Sequence, residues 1–398
     1  MSKAHIVVGL EIGTSKVCAV VGELKHDGSA QILGVGEAPS VGVRKGEIVD
    51  IENCGKCVRE AIADAEDRSG VMIKNVYLGI TGAHIQSFNN RGSFTLPDGR
   101  EKIEGADVGR VQEEARTAPI PAHNRFVHTV LQHFYVDGQD GVLKPVGMWG
   151  RKLEADFHIV HGVWNRIQNS TQCLSDLDIE IEDIVFTPYA AAQAVLDQGQ
   201  KNIGALMLDI GGGTMDYAVY VKGAIVQSGC VGIGGDHLTN DLSLGLRIPM
   251  GKAEMLKIKE GSCVLGNSLP GETVTLRDEH GFAGKEIERE MLNTIIHMRI
   301  RETFEFLLRE LEKGPYLDYL GAGVVITGGT SALRGIKHLA EDVFQMPVQI
   351  CRAQDVSGVA SAYENPQYST AVGLVKYAQA TFDDEGGGWL DWFKGWFR

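Results

Sequence analysis

Proline is scarce in this chain, at 11 of 398 residues, and basic residues are outnumbered. Lys and Arg total 38 against 52 Asp and Glu, for a formal net charge of −14. A protein that grips nucleic acid needs a basic face to neutralise phosphates, so no nucleic-acid partner is expected. No apolar run approaches the roughly 20 residues that cross a bilayer. The opening MSKAHIVVGLEIGTSK lacks the basic-then-apolar layout of a signal peptide. The seven cysteines are odd in number and scattered, which excludes a disulfide framework and reads as reduced thiols in the cytoplasm. A hydrophobic fraction of 43% and a charged fraction of 23% exclude disorder and collagen. The expectation is a soluble, cytoplasmic protein of two or three domains, with a reservation for its last residues.

What the chain has instead is glycine, 50 residues of it. Residues 5–21 (HIVVGLEIGTSKVCAVV) read as strand, tight Gly-Thr-Ser turn, strand. Residues 202–223 (NIGALMLDIGGGTMDYAVYVKG) repeat the sequence of apolar strand, acidic residue, glycine turn and apolar strand. Segments 8–20 and 206–218 thus read as one supersecondary unit used twice. Between them, 53–68 reads as a helix capped by Asn53 and 75–83 as a buried strand. Alternating runs and Gly-rich turns over 85–165 predict a self-contained α+β insertion, with helices following at about 165–177 and 188–197. Beyond the second hairpin, 247–299 is polar and helix-rich with a loop-heavy middle (266–284). A long helix is expected at 300–313, a strand at Val324-Val325-Ile326, and a last helix near 369–380. Residues 381–388 (TFDDEGGG) read as a flexible linker.

Backbone N–H groups in a glycine turn can converge on a phosphate, because only glycine lets the chain come so close. An acidic residue just before the turn, Glu11 or Asp209, can hold a Mg²⁺ shell by outer-sphere contact. Either turn alone reads more readily as a structural hairpin; two in duplicated halves are the signal. No P-loop pattern exists, and the Rossmann spacing is absent after the first strand.

Six stretches carry a family likeness: GLEIGTSKV (9–17), LDIGGGTMDYAV (208–219), GIGGDHLTNDL (232–242), AEMLKIKEG (253–261), VITGGTSALRGI (325–336) and YSTAVGLVKYA (368–378). With their third glycine turn they resemble the actin / Hsp70 / sugar-kinase superfamily, in which ATP lies between two duplicated domains. Within it the chain is similar to the bacterial cell-division FtsA family. The resemblance implies an α/β, actin-like ATPase fold: two duplicated α/β domains around a nucleotide cleft, with an α+β insertion subdomain. The first domain would comprise 1–84 and 166–203, with 85–165 inserted. The second would comprise 204–246 and 300–380, with 247–299 as a further subdomain.

The resemblance also implies site roles. Gly13, Thr14, Ser15 and Lys16 match the first phosphate turn, and Asp209, Gly211, Gly212, Gly213 and Thr214 the second. Gly328, Gly329 and Thr330 match the adenosine turn. Glu11 and Asp209 would organise Mg²⁺, and Glu254 and Lys257 would frame ribose and adenine. By themselves the last two read as a solvated i,i+3 salt bridge. Two departures bear on catalysis. Glu11 stands where the superfamily usually has Asp, and Thr187 precedes Pro188 where hydrolysing members carry an acid. A missing general base costs about 10²–10⁴ in rate. Tight ATP binding with slow or no turnover is therefore expected, and no catalytic residue is assigned.

The C-terminal WLDWFKGWFR (389–398) is the second signal. At about 100° per residue, Trp389, Leu390, Trp392, Phe393, Trp396 and Phe397 share one face. Asp391, Lys394, Gly395 and Arg398 take the other. Ten helical residues span only about 15 Å, so such a helix lies in the membrane interface, with Lys394 and Arg398 toward anionic lipid. One tail binds reversibly; several on one polymer bind by avidity. The family likeness implies self-association into filaments, other division proteins as partners, and placement on the cytoplasmic face of the inner membrane at the division site. It also implies capture of the C-terminal peptide of FtsZ by the 247–299 subdomain. Arg299 and Arg301 would form a basic rim there, though by themselves they read as solvated arginines. Cys54-x-x-Cys57 lacks a second pair for zinc. His123, His128 and His133 alternate faces of a strand and share no metal. A PilM-like pilus-assembly protein remains as an alternative. A sugar-kinase-like enzyme would need an acidic base, and an Hsp70-like chaperone a long domain after residue 380.

Overall fold

The structure, a computed structural model, describes residues 5–25, 29–266, 269, 271–278, 282 and 284–385. The amphipathic segment Trp389–Arg398 lies outside the described residues.

Each half builds a sheet of the same order. Strands His5–Ile12, Lys16–Leu24 and Ala30–Pro39 form an antiparallel meander, and Asn75–Ile80 and then Glu180–Phe186 add parallel to its first strand. In the second half, Ala205–Ile210, Met215–Val221 and Ala224–Val231 form the meander, and Val324–Thr327 and Val348–Ile350 add in parallel. Parallel neighbours need crossovers, which helices such as Ile51–Ser69 and Ile336–Phe344 supply. A short strand, Val356–Gly358, extends the first sheet alongside Ala30–Pro39.

Both sheets are covered on both faces, so their strands are apolar nearly throughout. Val8, Leu10 and Ile12 pack with Val58, Ala61 and Ile62 of the Ile51–Ser69 helix. Val7 and Val20, on the opposite face, meet Ala371 and Val375 of the last helix, and through Ala191 and Val195 the cluster continues to Met207 and Ala218 of the second sheet. Helices Thr187–Val195 and Ser369–Glu385 therefore lie between the two lobes, with small side chains at the shared seam.

The insertion is a four-stranded antiparallel sheet, Ile85–Thr95, Asn124–Val136, Gln139–Val142 and Lys152–Val163, backed by helix Gly105–Ala115. Its own core includes Val111, Phe134 and Phe157. It also reaches the second lobe. Ser87 Oγ donates to the Ser228 carbonyl at 2.7 Å, Gln132 Nε2 to the Ile225 carbonyl at 2.6 Å, and His158 Nε2 lies 2.8 Å from Ser228 Oγ.

Several local expectations are corrected. Asp50, not Asn53, caps the first helix: its carboxylate accepts the Asn53 N–H at 3.1 Å. The loop-heavy stretch 266–284 includes one strand of a hairpin, Thr273–Leu276, paired with Lys285–Glu288. The long helix begins at Arg289 and runs unbroken to Leu311, so the expected boundary at 299/300 falls inside it. Leu292, Ile296, Ile300, Phe304, Leu307 and Leu311 form one buried stripe, and no Gly or Pro interrupts it. The last helix extends to Glu385, into the expected linker, since no breaker occurs before Gly386. Among the described residues no helix is long and apolar enough to cross a membrane.

Candidate functional site

The two hairpin turns face one another across a cavity of about 400 Å³ between the lobes. Each closes with the same backbone bond: Gly13 N–H to the Lys16 carbonyl at 3.0 Å, and Gly211 N–H to the Thr214 carbonyl at 2.9 Å. The turns nearly touch. A Cβ on Gly213 would lie 2.3 Å from Thr14 Oγ1, so only glycine fits there. Thr14 Oγ1 itself accepts the Gly46 N–H at 3.0 Å. The helix Gly235–Leu246 starts against the second turn, with Gly235 and Asp236 N–H groups on the Gly211 and Gly212 carbonyls at 3.0 and 2.7 Å.

The third turn joins the same rim, as Thr330 Oγ1 donates to the Gly211 carbonyl at 3.0 Å. Gly328 takes φ +85°, and a Cβ there would strike Asp209 Oδ1. Gly329 also lines the cavity.

Half-buried Glu11 and Asp209, with the buried Asp216, form the base of the cavity. Burial, reinforced by the neighbouring Asp209 charge, pushes Glu11 up to about 8; Lys16 opposes the shift. Its buried Oε2 has no hydrogen-bond partner among the described residues. Burial lifts Asp209 to about 7 although the Thr370 hydroxyl donates to it. Asp216, directly across the hairpin from Asp209, is raised by burial as well. It accepts from Thr81 Oγ1 at 2.7 Å and from Thr187 Oγ1 at 2.7 Å. The sequence reading missed Asp216, although the antiparallel register of a turn flanked by Asp209 and Met215 would have placed it there. Among the described residues no group of three or more His, Cys, Asp or Glu stands close enough to bind a metal directly.

Glu254 and Lys257 sit on the helix Met250–Glu260 in the cavity wall. They are not a solvated pair. Lys257 is only 8% exposed, and its ammonium lies 2.6 Å from Glu254, 2.9 Å from Thr239 Oγ1 and 3.2 Å from the Gly235 carbonyl. The geometry brings Glu11, Gly13 to Lys16, Asp209, Gly211 to Thr214, Glu254, Lys257 and Gly328 to Thr330 to one cavity. It adds Asp236 and Arg334, which lie in the family-like stretches but carried no assigned role, and Asn365 and Gln367, which lie in none of them. Arg299 and Arg301 lie on the Arg289–Leu311 helix and do not line the cavity. Arg299 pairs with Asp241 and Glu302, and Arg301 with Glu305 and Asp342, so acids already neutralise both.

Twin sheets of one topology, with helices between them and a cleft between their first turns, define the actin-like ATPase fold. Solved structures of the same architecture include a PilM–PilN type IV pilus biogenesis complex, at TM-score 0.65 and 14% identity over 95% of this chain and 99% of that one. Another is MreB5 of Spiroplasma citri bound to ADP, at TM-score 0.57 and 16% identity over 96% and 98%. A family profile described as "Cell division protein FtsA" matches residues 206–373, and one described as "SHS2 domain inserted in FTSA" matches residues 82–161. The cell division protein FtsA of Pseudomonas aeruginosa is 38% identical over 95% of this chain and 90% of its own length. The chain belongs to the FtsA family of cell-division proteins.

Proposed function

We propose that this protein is an ATP-binding, actin-like adaptor that polymerises and tethers the FtsZ ring to the cytoplasmic membrane through its C-terminal amphipathic helix. One observation carries the nucleotide part: two turns with the same closing bond oppose each other over the paired acids Glu11 and Asp209. Gly13 to Lys16 and Gly211 to Thr214 hold the phosphates, Gly328 to Thr330 the adenosine, and Glu254 with Lys257 the nucleoside. The unpartnered Glu11 Oε2 and the Asp209 carboxylate are hard oxygen donors that suit a hydrated Mg²⁺, which supplies charge neutralisation to the triphosphate. MreB5, a fold neighbour, is bound to ADP.

Turnover is slow or absent. Thr187 offers no base: a hydroxyl does not take a proton from water near neutral pH, and this one donates a hydrogen bond to Asp216. The FtsZ peptide docks on the 247–299 subdomain and its rim at Arg299 and Arg301, whose ion pairs are partly open to solvent and can be traded for the peptide's own carboxylates. Membrane attachment rests on the pattern of Trp389 to Arg398, and filament formation multiplies a weak single anchor. The protein then sits on the cytoplasmic face of the inner membrane at the division site, with lipids, its own copies and other division proteins as partners. A PilM-like pilus role is supported by fold alone.

The test pairs the full chain with a variant lacking 389–398. The full chain should sediment with anionic liposomes and with FtsZ C-terminal peptide attached. The truncated chain should bind ATP equally and stay in solution. Retained sedimentation rejects the tether, and steady-state turnover above about 1 s⁻¹ rejects the slow-hydrolysis reading.

A further inference from the structure

Lys16, the last residue of the first turn, lines the cavity, yet its ammonium is already occupied. It lies 3.7 Å from the centroid of the Tyr368 ring and 3.5 Å from Glu37 Oε2. The Tyr368 hydroxyl donates to that same Glu37 oxygen at 2.9 Å. The three side chains form a closed set: cation on ring, cation near carboxylate, phenol on carboxylate. We propose that Tyr368 and Glu37 are a holding site for the Lys16 ammonium that competes with a ligand's phosphates, and so set how steeply affinity depends on phosphate number. This rests on the reading of the cleft as a nucleotide site and adds two specificity-determining residues to it.

The set is arranged for exchange. Glu37 is on the strand next to Lys16, and its side chain is 45% exposed. An ion pair so open to water is weak and easily traded. When Lys16 leaves, Glu37 still accepts the Tyr368 hydroxyl, so its carboxylate is not stranded. The ring itself is anchored from the other lobe. Tyr368 belongs to the one-turn segment Pro366–Tyr368, whose Pro366 carbonyl accepts the Gly328 N–H at 3.2 Å. Two residues on, Thr370 donates to Asp209. Lys16 and Glu37 come from the first lobe, whereas the Tyr368 segment is pinned to the second-lobe turns. An ammonium drawn onto phosphate oxygens gives up the Glu37 carboxylate, and only a ligand carrying phosphate offers that trade. Adenosine leaves the set undisturbed.

The experiment measures Kd of ATP, ADP and adenosine for the full chain by calorimetry, in the wild type, Glu37→Gln, Tyr368→Leu, Lys16→Met and the double variants with Lys16→Met. Glu37→Gln should tighten ATP about two- to fivefold, the worth of a part-exposed ion pair, and leave adenosine unchanged. Tyr368→Leu alters no charge and should tighten ATP in the same direction. In the Lys16→Met background both gains should vanish. Glu37 is exposed enough that its variant folds even should the ring variant fail to. A gain that persists without Lys16 overturns the proposal, since Glu37 would then act as a distant charge; so does an unchanged ATP affinity in Glu37→Gln. A wild type that binds no ATP overturns the nucleotide reading itself, an outcome distinct from binding without coupling.

Discussion

Thr187 Oγ1 donates a 2.7 Å hydrogen bond to Asp216 Oδ2, tying the first residue of the helix between the lobes to the second glycine hairpin. Asp216 also accepts from Thr81, which follows the strand Asn75–Ile80 of the first lobe. One buried carboxylate thus joins both lobes and the connecting helix.

Thr187→Val keeps the shape of that junction and removes the proton donor. The variant should lose about 1–3 kcal/mol of stability, the cost of leaving a buried acceptor short of a partner. Thr187→Ser should restore most of it. Urea unfolding of the three proteins checks this, and equal midpoints would refute it.

Gly213 and Gly211 make a contrasting pair. A methyl at Gly213 collides with Thr14, whereas at Gly211 the nearest atom is the Thr214 carbonyl oxygen at 3.5 Å, an ordinary contact. Gly213→Ala should therefore destabilise the ligand-free protein by about 1–3 kcal/mol, as overpacking does. Gly211→Ala should stay within about 0.5 kcal/mol of the wild type. Thermal melts of both variants decide the matter.

Glu11, at about 8, holds a proton in the folded state that it gives up near 4.5 when unfolded. Between those values the folded chain binds more protons, so its stability falls as pH rises. Asp209, at about 7, acts in the same direction. Stability of the ligand-free wild type should decline from pH 6.5 to 8, and Glu11→Gln should flatten that decline. Urea midpoints across this window measure it; parallel slopes for the two proteins would contradict it.

His128 titrates in the opposite sense. Burial lowers it to about 4, and its Nε2 accepts the Phe186 N–H at 2.9 Å, an arrangement that requires the neutral ring. The unfolded chain takes up the proton near 6.5, so stability is lost as pH falls below that value. Between pH 7 and pH 5 the loss from this residue should be about 2 kcal/mol. His128→Gln keeps an acceptor without titrating and should resist acid better than the wild type.

The duplicated hairpins were legible because a hairpin is local. Its apolar strands, its acid and its glycines lie within a dozen residues, so Glu11, Gly13, Asp209 and Gly211 could be marked from the text alone. The insertion was legible for a related reason: strand alternation sets it apart, and a family profile covers much the same span, 82–161. The Asn53 cap failed by three positions, because Asp50 and Asn53 are both good capping residues and only the backbone turn chooses between them. The long helix expected to start at 300 starts at Arg289, because the buried stripe from Leu292 to Leu311 is continuous, and polar residues on the outer face conceal it.

By itself the sequence determined the repeated unit, the glycine turns and the family, since each depends on residue types at short spacing. Only the tertiary structure decided what those residues face. Lys257 looked solvated and is buried; Arg299 and Arg301 looked free and are paired; Asp216 looked ordinary and joins both lobes. Burial and charge pairing are relations between segments far apart in the chain, and no local pattern encodes them.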